Sequence, residues 1–287
     1  MRIISHKRNH YITFAFVATW ALLSACGDDK TPTSFGSTDD PAFQEAQGAV
    51  NNFLDSVFVA VSSGLDSYNQ VPFSVEEIDI KFGPINPGAG DYVNYQYTTD
   101  GWHTIAVAVN NTTVIWTVND SIQFRAGGAY QESSTAADQM DYRHRWEVIA
   151  KDQAADYTNV DGTLRVTIDG LNTTLLEMNG TYAFHRFDHS VTDANQTDND
   201  FAVDATFLGI TVEKTFGAWG PGCPSGGTTN FTMAQSKSVT PTGGSATVTD
   251  ISWTGTVRWK DGMATVFISD GTTTWNYSYQ VCGAPAS

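Results

Sequence analysis

The chain has 287 residues, with 31 acidic against 15 basic side chains and a net charge of −16; 41% of its residues are hydrophobic and 12% aromatic. That balance argues against nucleic acid and anionic surfaces as partners, since both select basic patches. The length suits one large β domain or two small ones, and the aromatic share can supply a sizeable core.

The first element is a leader. Arg2, Lys7 and Arg8 form a positive start without acids, residues 11–23 are an apolar run, and the small residues Ser24 and Ala25 precede Cys26. This is the pattern of a secretory signal over residues 1–25. Thirteen helical residues reach about 20 Å at about 1.5 Å per residue, too short to span a bilayer. Leu23-Ser24-Ala25-Cys26 resembles the lipobox of bacterial lipoproteins. The resemblance implies that Cys26 is acylated on sulfur, becomes the first residue of the mature chain and is acylated again on its amine. Two or more acyl chains anchor stably where one binds only marginally. Gly27 after the cysteine implies the outer membrane by the Gram-negative sorting pattern. Loss of residues 1–25 leaves 12 Lys+Arg against 31 Asp+Glu, a net charge of −19.

Residues 26–39 are polar and aperiodic, a flexible tether between lipid and body. The body is expected over 40–287, with the acidic stretch 193–200 as the place of an alternative subdivision. Asp40-Pro41 reads as the cap and first residue of a helix over 41–63. Phe43, Ala46, Val50, Phe53, Leu54, Val57, Val61 and Leu65 give it an apolar stripe, and Gly64 is the expected stop. From Val75 onward the apolar period falls to two. Runs at 93–97, 103–109, 114–118, 142–150, 163–168, 174–187, 201–207, 210–216, 229–235, 246–253, 255–260, 263–269 and 273–281 read as strands. Turn signals punctuate them: Asp100-Gly101, Asn110-Asn111, Asn119-Asp120, Asp161-Gly162, Asp169-Gly170, Asn179-Gly180, Asp261-Gly262 and Asp270-Gly271. The expected fold is mostly β: a long antiparallel meander of about twelve to fourteen strands. It would form a curved sheet, half-barrel, barrel or sandwich, with the one amphipathic helix packed on it. The order of elements resembles the LolA- and LolB-like lipoprotein carriers, an analogy of architecture that covers no shared motif.

Cys223 and Cys282 are an even pair in an exported chain, so a disulfide is expected. It would close a loop of about 59 residues, worth about 4 kcal/mol in the loop-entropy account. Catalytic signals are weak. No Gly-x-Ser-x-Gly elbow occurs. His185 and His189 lie four apart in a strand-like run, about 13 Å at about 3.3 Å per residue, too far to share one metal. Asp193, Asn195, Asp198 and Asp200 gather oxygen ligands without the EF-hand spacing, and read as a solvated loop. Asp141, Arg143, Arg145 and Glu147 alternate as a solvent-facing charged row. No catalytic residue, metal ligand or cofactor is expected.

Function is therefore read from compartment and aromatics. Trp102, Trp116, Trp253, Trp259, Trp275, Tyr277 and Tyr279 punctuate the strands as a core or as the lining of an apolar cavity. The expected role is non-catalytic, an envelope lipoprotein binding an apolar ligand or an envelope protein. A surface carbohydrate-binding or adhesion module and a hydrolase are the alternatives.

Overall fold

The computed structural model describes residues 36–67, 92–110, 112–151, 156–213 and 223–280. One helix, α1 (Pro41–Ser67), precedes twelve strands: β1 (Tyr92–Tyr97), β2 (Trp102–Asn110), β3 (Val114–Ala126), β4 (Ala129–Gln131), β5 (Gln139–Ala150), β6 (Tyr157–Asp169), β7 (Leu175–Val191), β8 (Asn195–Glu213), β9 (Pro224–Pro241), β10 (Thr247–Lys260), β11 (Met263–Ser269) and β12 (Thr274–Gln280). Eleven follow one another as a single antiparallel sheet from β1 to β12, and the short β4 pairs only with β3. The sheet does not close: β1 and β12 are its edges. The mostly-β meander with one N-terminal helix is what the change of period predicts.

The helix starts where its cap says. Asp40 Oδ1 accepts from the backbone N–H of Ala42 (2.9 Å) and Phe43 (3.4 Å), satisfying two of the amides a helix leaves open. It ends later than expected: Gly64 is passed over and the helix runs to Ser67. A glycine inside a helix costs only about 1 kcal/mol, which flanking turns can carry. Phe43, Ala46, Val50, Phe53 and Leu54 are buried on one stripe. Phe43 stacks on Trp275 of β12 (centroids 5.4 Å apart) and meets Tyr277 edge-on at 5.9 Å. Phe53 lies against Tyr182 of β7 and Phe207 of β8. One helix thus touches strands five places apart in the sheet, so the sheet curves around it.

Register explains the core. One inward row runs Asp120, His144, Leu164, Tyr182, Ala205, Phe231, Gly255, Ile268 and Trp275. The next runs Val118, Trp146, Gly162, Phe184, Val203, Met233 and Trp253. Large rings face glycines: a Cβ on Gly162 would enter the indole of Trp146, and one on Gly255 would lie 2.6 Å from the Phe231 ring. Three expected turns fall here. Asp161-Gly162 lies inside β6, Asn179-Gly180 inside β7 and Asn119-Asp120 inside β3. The glycines make room for a neighbour instead of reversing the chain. At Gly180 the β7–β8 register shifts (Met178/Gly180) while β6 pairs through without a break, and the β8–β9 register shifts nearby at Leu208/Thr211. Asn179 Oδ1 accepts the N–H of Gly209 (2.7 Å) to hold that bulge. The expected runs 201–207 and 210–216 therefore join, up to Glu213, in one bulged strand, and 246–253 and 255–260 join in the unbulged β10; residues 214–216 lie outside the described residues. Asp100-Gly101, Asp261-Gly262 and Asp270-Gly271 do turn the chain, and Asp261 and Gly262 both take positive φ (51° and 77°).

No helix among the described residues is long and apolar enough to cross a membrane.

Candidate functional site

Three features carry polar chemistry. Residues 36–37, just ahead of the helix, sit against the sheet edge. The backbone N–H of Gly36 donates to the carbonyl of Thr274 (3.1 Å), the first residue of β12. Trp275 Nε1 donates to the carbonyl of Ser37 (3.1 Å), and a Cβ on Gly36 would collide with that indole. The indole is clasped between this segment and Phe43. Cys26 lies outside the described residues, and so does most of the tether.

The second feature is a buried acid on the inner face. Asp120, only 6% exposed, has its Oδ1 2.5 Å from His144 Nδ1 and within 3.4 Å of the Tyr142 hydroxyl, which donates to it. Burial, and then the charge of Asp120, push the Tyr142 phenol well above its usual range. The His144 ring stacks on Trp146 (4.9 Å). A carboxylate fixing Nδ1 turns Nε2 to the far side, the orientation of a general base. What surrounds the ring is aromatic rather than nucleophilic. On a neighbouring strand His103 is buried, its Nδ1 2.8 Å from the Tyr95 hydroxyl and its ring 4.6 Å from Tyr97. Burial lowers its pKa, opposed by the Glu132 carbonyl and charge.

The third feature is on the outer face. His185 Nδ1 is 3.2 Å from Asp161 on β6, and its Nε2 is 2.9 Å from Asp200 on β8. Both ring nitrogens can donate only when the imidazole is charged. Burial of the ring works against that charge, but the bonds to Asp200 and Asp161 and their charges outweigh it and raise the pKa. His189 pairs separately with Asp198 (2.5 Å) and stacks on Tyr157. The two histidines serve different carboxylates, as strand spacing requires. The expected acidic loop 193–200 is a turn leading into β8, and Asp198 and Asp200 spend their oxygens on those histidines. No group of three His, Cys, Asp or Glu side chains placed to hold a metal occurs among the described residues.

The charged row behaves as expected at one point: Arg125 pairs with Asp141 at 2.6 Å. Asp120 was hidden by the Asn119-Asp120 turn signal. The usable clue was its place in the alternation Val118, Asp120, Ile122, Phe124, where an inward acid demands a partner. Trp253, Trp259 and Trp275 are buried, while Trp116 is only partly so. Two shallow grooves of about 250 and 350 Å³ open on the outer face of β7–β10 over Ala202, Ala234, Asp204 and Thr232. Cys223 lies one residue before β9, and Cys282 lies outside the described residues. No family model, curated protein or solved structure matches the chain.

Proposed function

We propose that this is a lipid-anchored protein of the bacterial envelope, acylated at Cys26 and held at the outer membrane. Its β body serves a non-catalytic role toward an envelope protein. The observation that carries this reading is the lipobox-like Leu23-Ser24-Ala25-Cys26 placed ten residues before a chain segment fastened to the body at Gly36 and Ser37. A leader followed by a short tether and a docked lead-in is how a covalent anchor would be coupled to a folded domain. The aromatic inner face supports a structural role over carriage of an apolar ligand, because Phe43 and Phe53 already occupy the rings that would line a cavity. Burial of Trp253 and Trp275 removes two of the rings a carbohydrate-binding face would present.

The test is intact-mass analysis of the membrane-extracted protein, with Cys26→Ser beside it. The expected result is a chain beginning at residue 26 that carries acyl groups, and a Cys26→Ser chain that keeps its leader. A bare sulfur with the leader attached overturns the anchor. Delipidated body that retains stoichiometric lipid in native mass spectrometry overturns the structural role in favour of ligand carriage.

A further inference from the structure

The sheet is uneven at one rim. β10 begins at Thr247, but its pairing with β11 begins only at Thr254 opposite Ser269. Seven residues of β10 therefore project, with β9 and β8, about 23 Å beyond the end of β11 at Ser269, at about 3.3 Å per residue. The projection is braced. Thr242 donates its N–H to the carbonyl of Ala194 (2.8 Å) and its hydroxyl to the carbonyl of Asp193 (3.0 Å), tying the β9–β10 tip to the β7–β8 turn.

Its composition departs from the rest of the body. From Ser238 to Thr249 there is no charged residue, in a chain with 31 acids. Residues 241–250 are all exposed, and Val248 is 57% exposed. Within this projecting end the β9–β10 tip has no carboxylate to desolvate at a lipid surface, whereas the β7–β8 turn beside it carries Asp193.

The lead-in is fastened at the same rim. Gly36 pairs with Thr274, at the β12 end beside the β11–β12 turn. Cys26 is ten residues earlier, and ten residues span at most about 36 Å. A tether of that reach, leaving from a rim with a projection about 23 Å tall, brings the β9–β10 tip and the β7–β8 turn tied to it to the bilayer before the rest of the body.

We infer that the β9–β10 tip, Thr242–Ala246 with Val248, is the surface through which the body rests on the membrane, its partner being the neutral interfacial layer of a lipid bilayer. This rests on acylation at Cys26. The opposite rim, where Tyr130 is exposed, points away from the bilayer.

The experiment uses the acylated full chain in phosphatidylcholine vesicles carrying a headgroup-level nitroxide quencher. A fluorescent amino acid is placed at Ser245 in one preparation and at Tyr130 in another. The expected result is quenching severalfold stronger at Ser245 than at Tyr130. Equal quenching, stronger quenching at Tyr130 (the tether folding back along β12), or none at either site on vesicle-bound protein overturns the orientation. Mass analysis of the same sample separates this from the anchor itself: a vesicle-bound, acylated chain with the wrong pattern refutes only the tip. An unacylated chain refutes the anchor and the orientation with it.

Discussion

Phe43→Ala tests whether the curved sheet depends on its helix. Phe43 is 1% exposed, stacked on Trp275 and edge-on to Tyr277. A buried aromatic ring of this kind removes about 150–250 Å² from water. At about 25 cal/mol per Å², less the area alanine retains, this amounts to about 3–5 kcal/mol, the range seen when buried Phe is cut to Ala. The neighbours are rings held in the sheet register, so the vacated space cannot close fully, which favours the upper half. Urea unfolding of the Cys26→Ser body, followed by tryptophan emission, reads the loss as a lower midpoint at unchanged slope. Emission of Trp275 should also shift, since one face of its indole loses its cover. Asn52→Ala, on the exposed side of the same helix, should move stability by less than about 0.5 kcal/mol. A Phe43→Ala loss below about 1 kcal/mol would refute the packing, because it would mean the ring is not held between helix and sheet.

Gly162→Ala should destabilise by about 1–3 kcal/mol in the same assay, because the new methyl enters the Trp146 indole; pairing it with Trp146→Leu should recover part of the loss. The raised pKa of His185 stabilises the fold fully below the unfolded value of about 6.5, and that stability is lost as pH rises through the folded value. His185→Gln should therefore cost stability at pH 5.5 and nothing at pH 8.5, by no more than about 1 kcal/mol since the ring is 44% exposed and screened. His103 has the opposite sign: its lowered pKa stabilises above about 6.5 and fails as pH falls through the folded value, so the difference between wild type and His185→Gln, not the wild-type curve, is the quantity to plot. The proposed Cys223–Cys282 bridge should show as a peptide pair in non-reducing digests. Its reduction should cost about 2–5 kcal/mol, and two free thiols in the oxidised protein would refute it.

That bridge has support beyond the even count. Gly262 donates to the carbonyl of Pro224 (2.7 Å), and Met263 is paired with Gln280. The residue after Cys223 and a residue two before Cys282 thus meet the same β10–β11 turn. Sequence spacing suggests the partners, and the register brings Pro224 and Gln280 to one turn. The helix was legible for a simpler reason: Asp40, Pro41 and the 43-46-50-53 stripe are local signals, and local signals survive without a fold. Strand existence was equally plain from the alternation. Strand continuity was not, because a glycine beside Asp or Asn reads alike whether it reverses the chain or yields to a close neighbour on the next strand. Gly101 and Gly262 do the first, Gly162 and Gly180 the second, and what separates them is Trp146 on β5 and Val166 on β6, contacts far away in sequence.

The same limit governed the polar residues. His185 and His189 look like a pair because they are close in the chain, yet the partners of His185 come from β6 and β8, fifteen or more residues away. Asp120 has neighbours in sequence that resemble a turn, while its neighbours in space are His144 and Tyr142. In a meander, chemistry is assembled across strands, so a linear reading finds the composition of a site and misses its membership. The anchor is the exception: a leader is recognised as an extended peptide, before any fold exists, and its information is local. Compartment is therefore the part of the proposed function that rests on local sequence alone. The body's role must be sought where the sheet leaves surface unspent. The inner face at β7, β8 and β12 is taken by the helix and its rings, which leaves the outer face, with its small-residue grooves and paired histidines, for the proposed envelope partner and the projecting rim for the proposed bilayer contact.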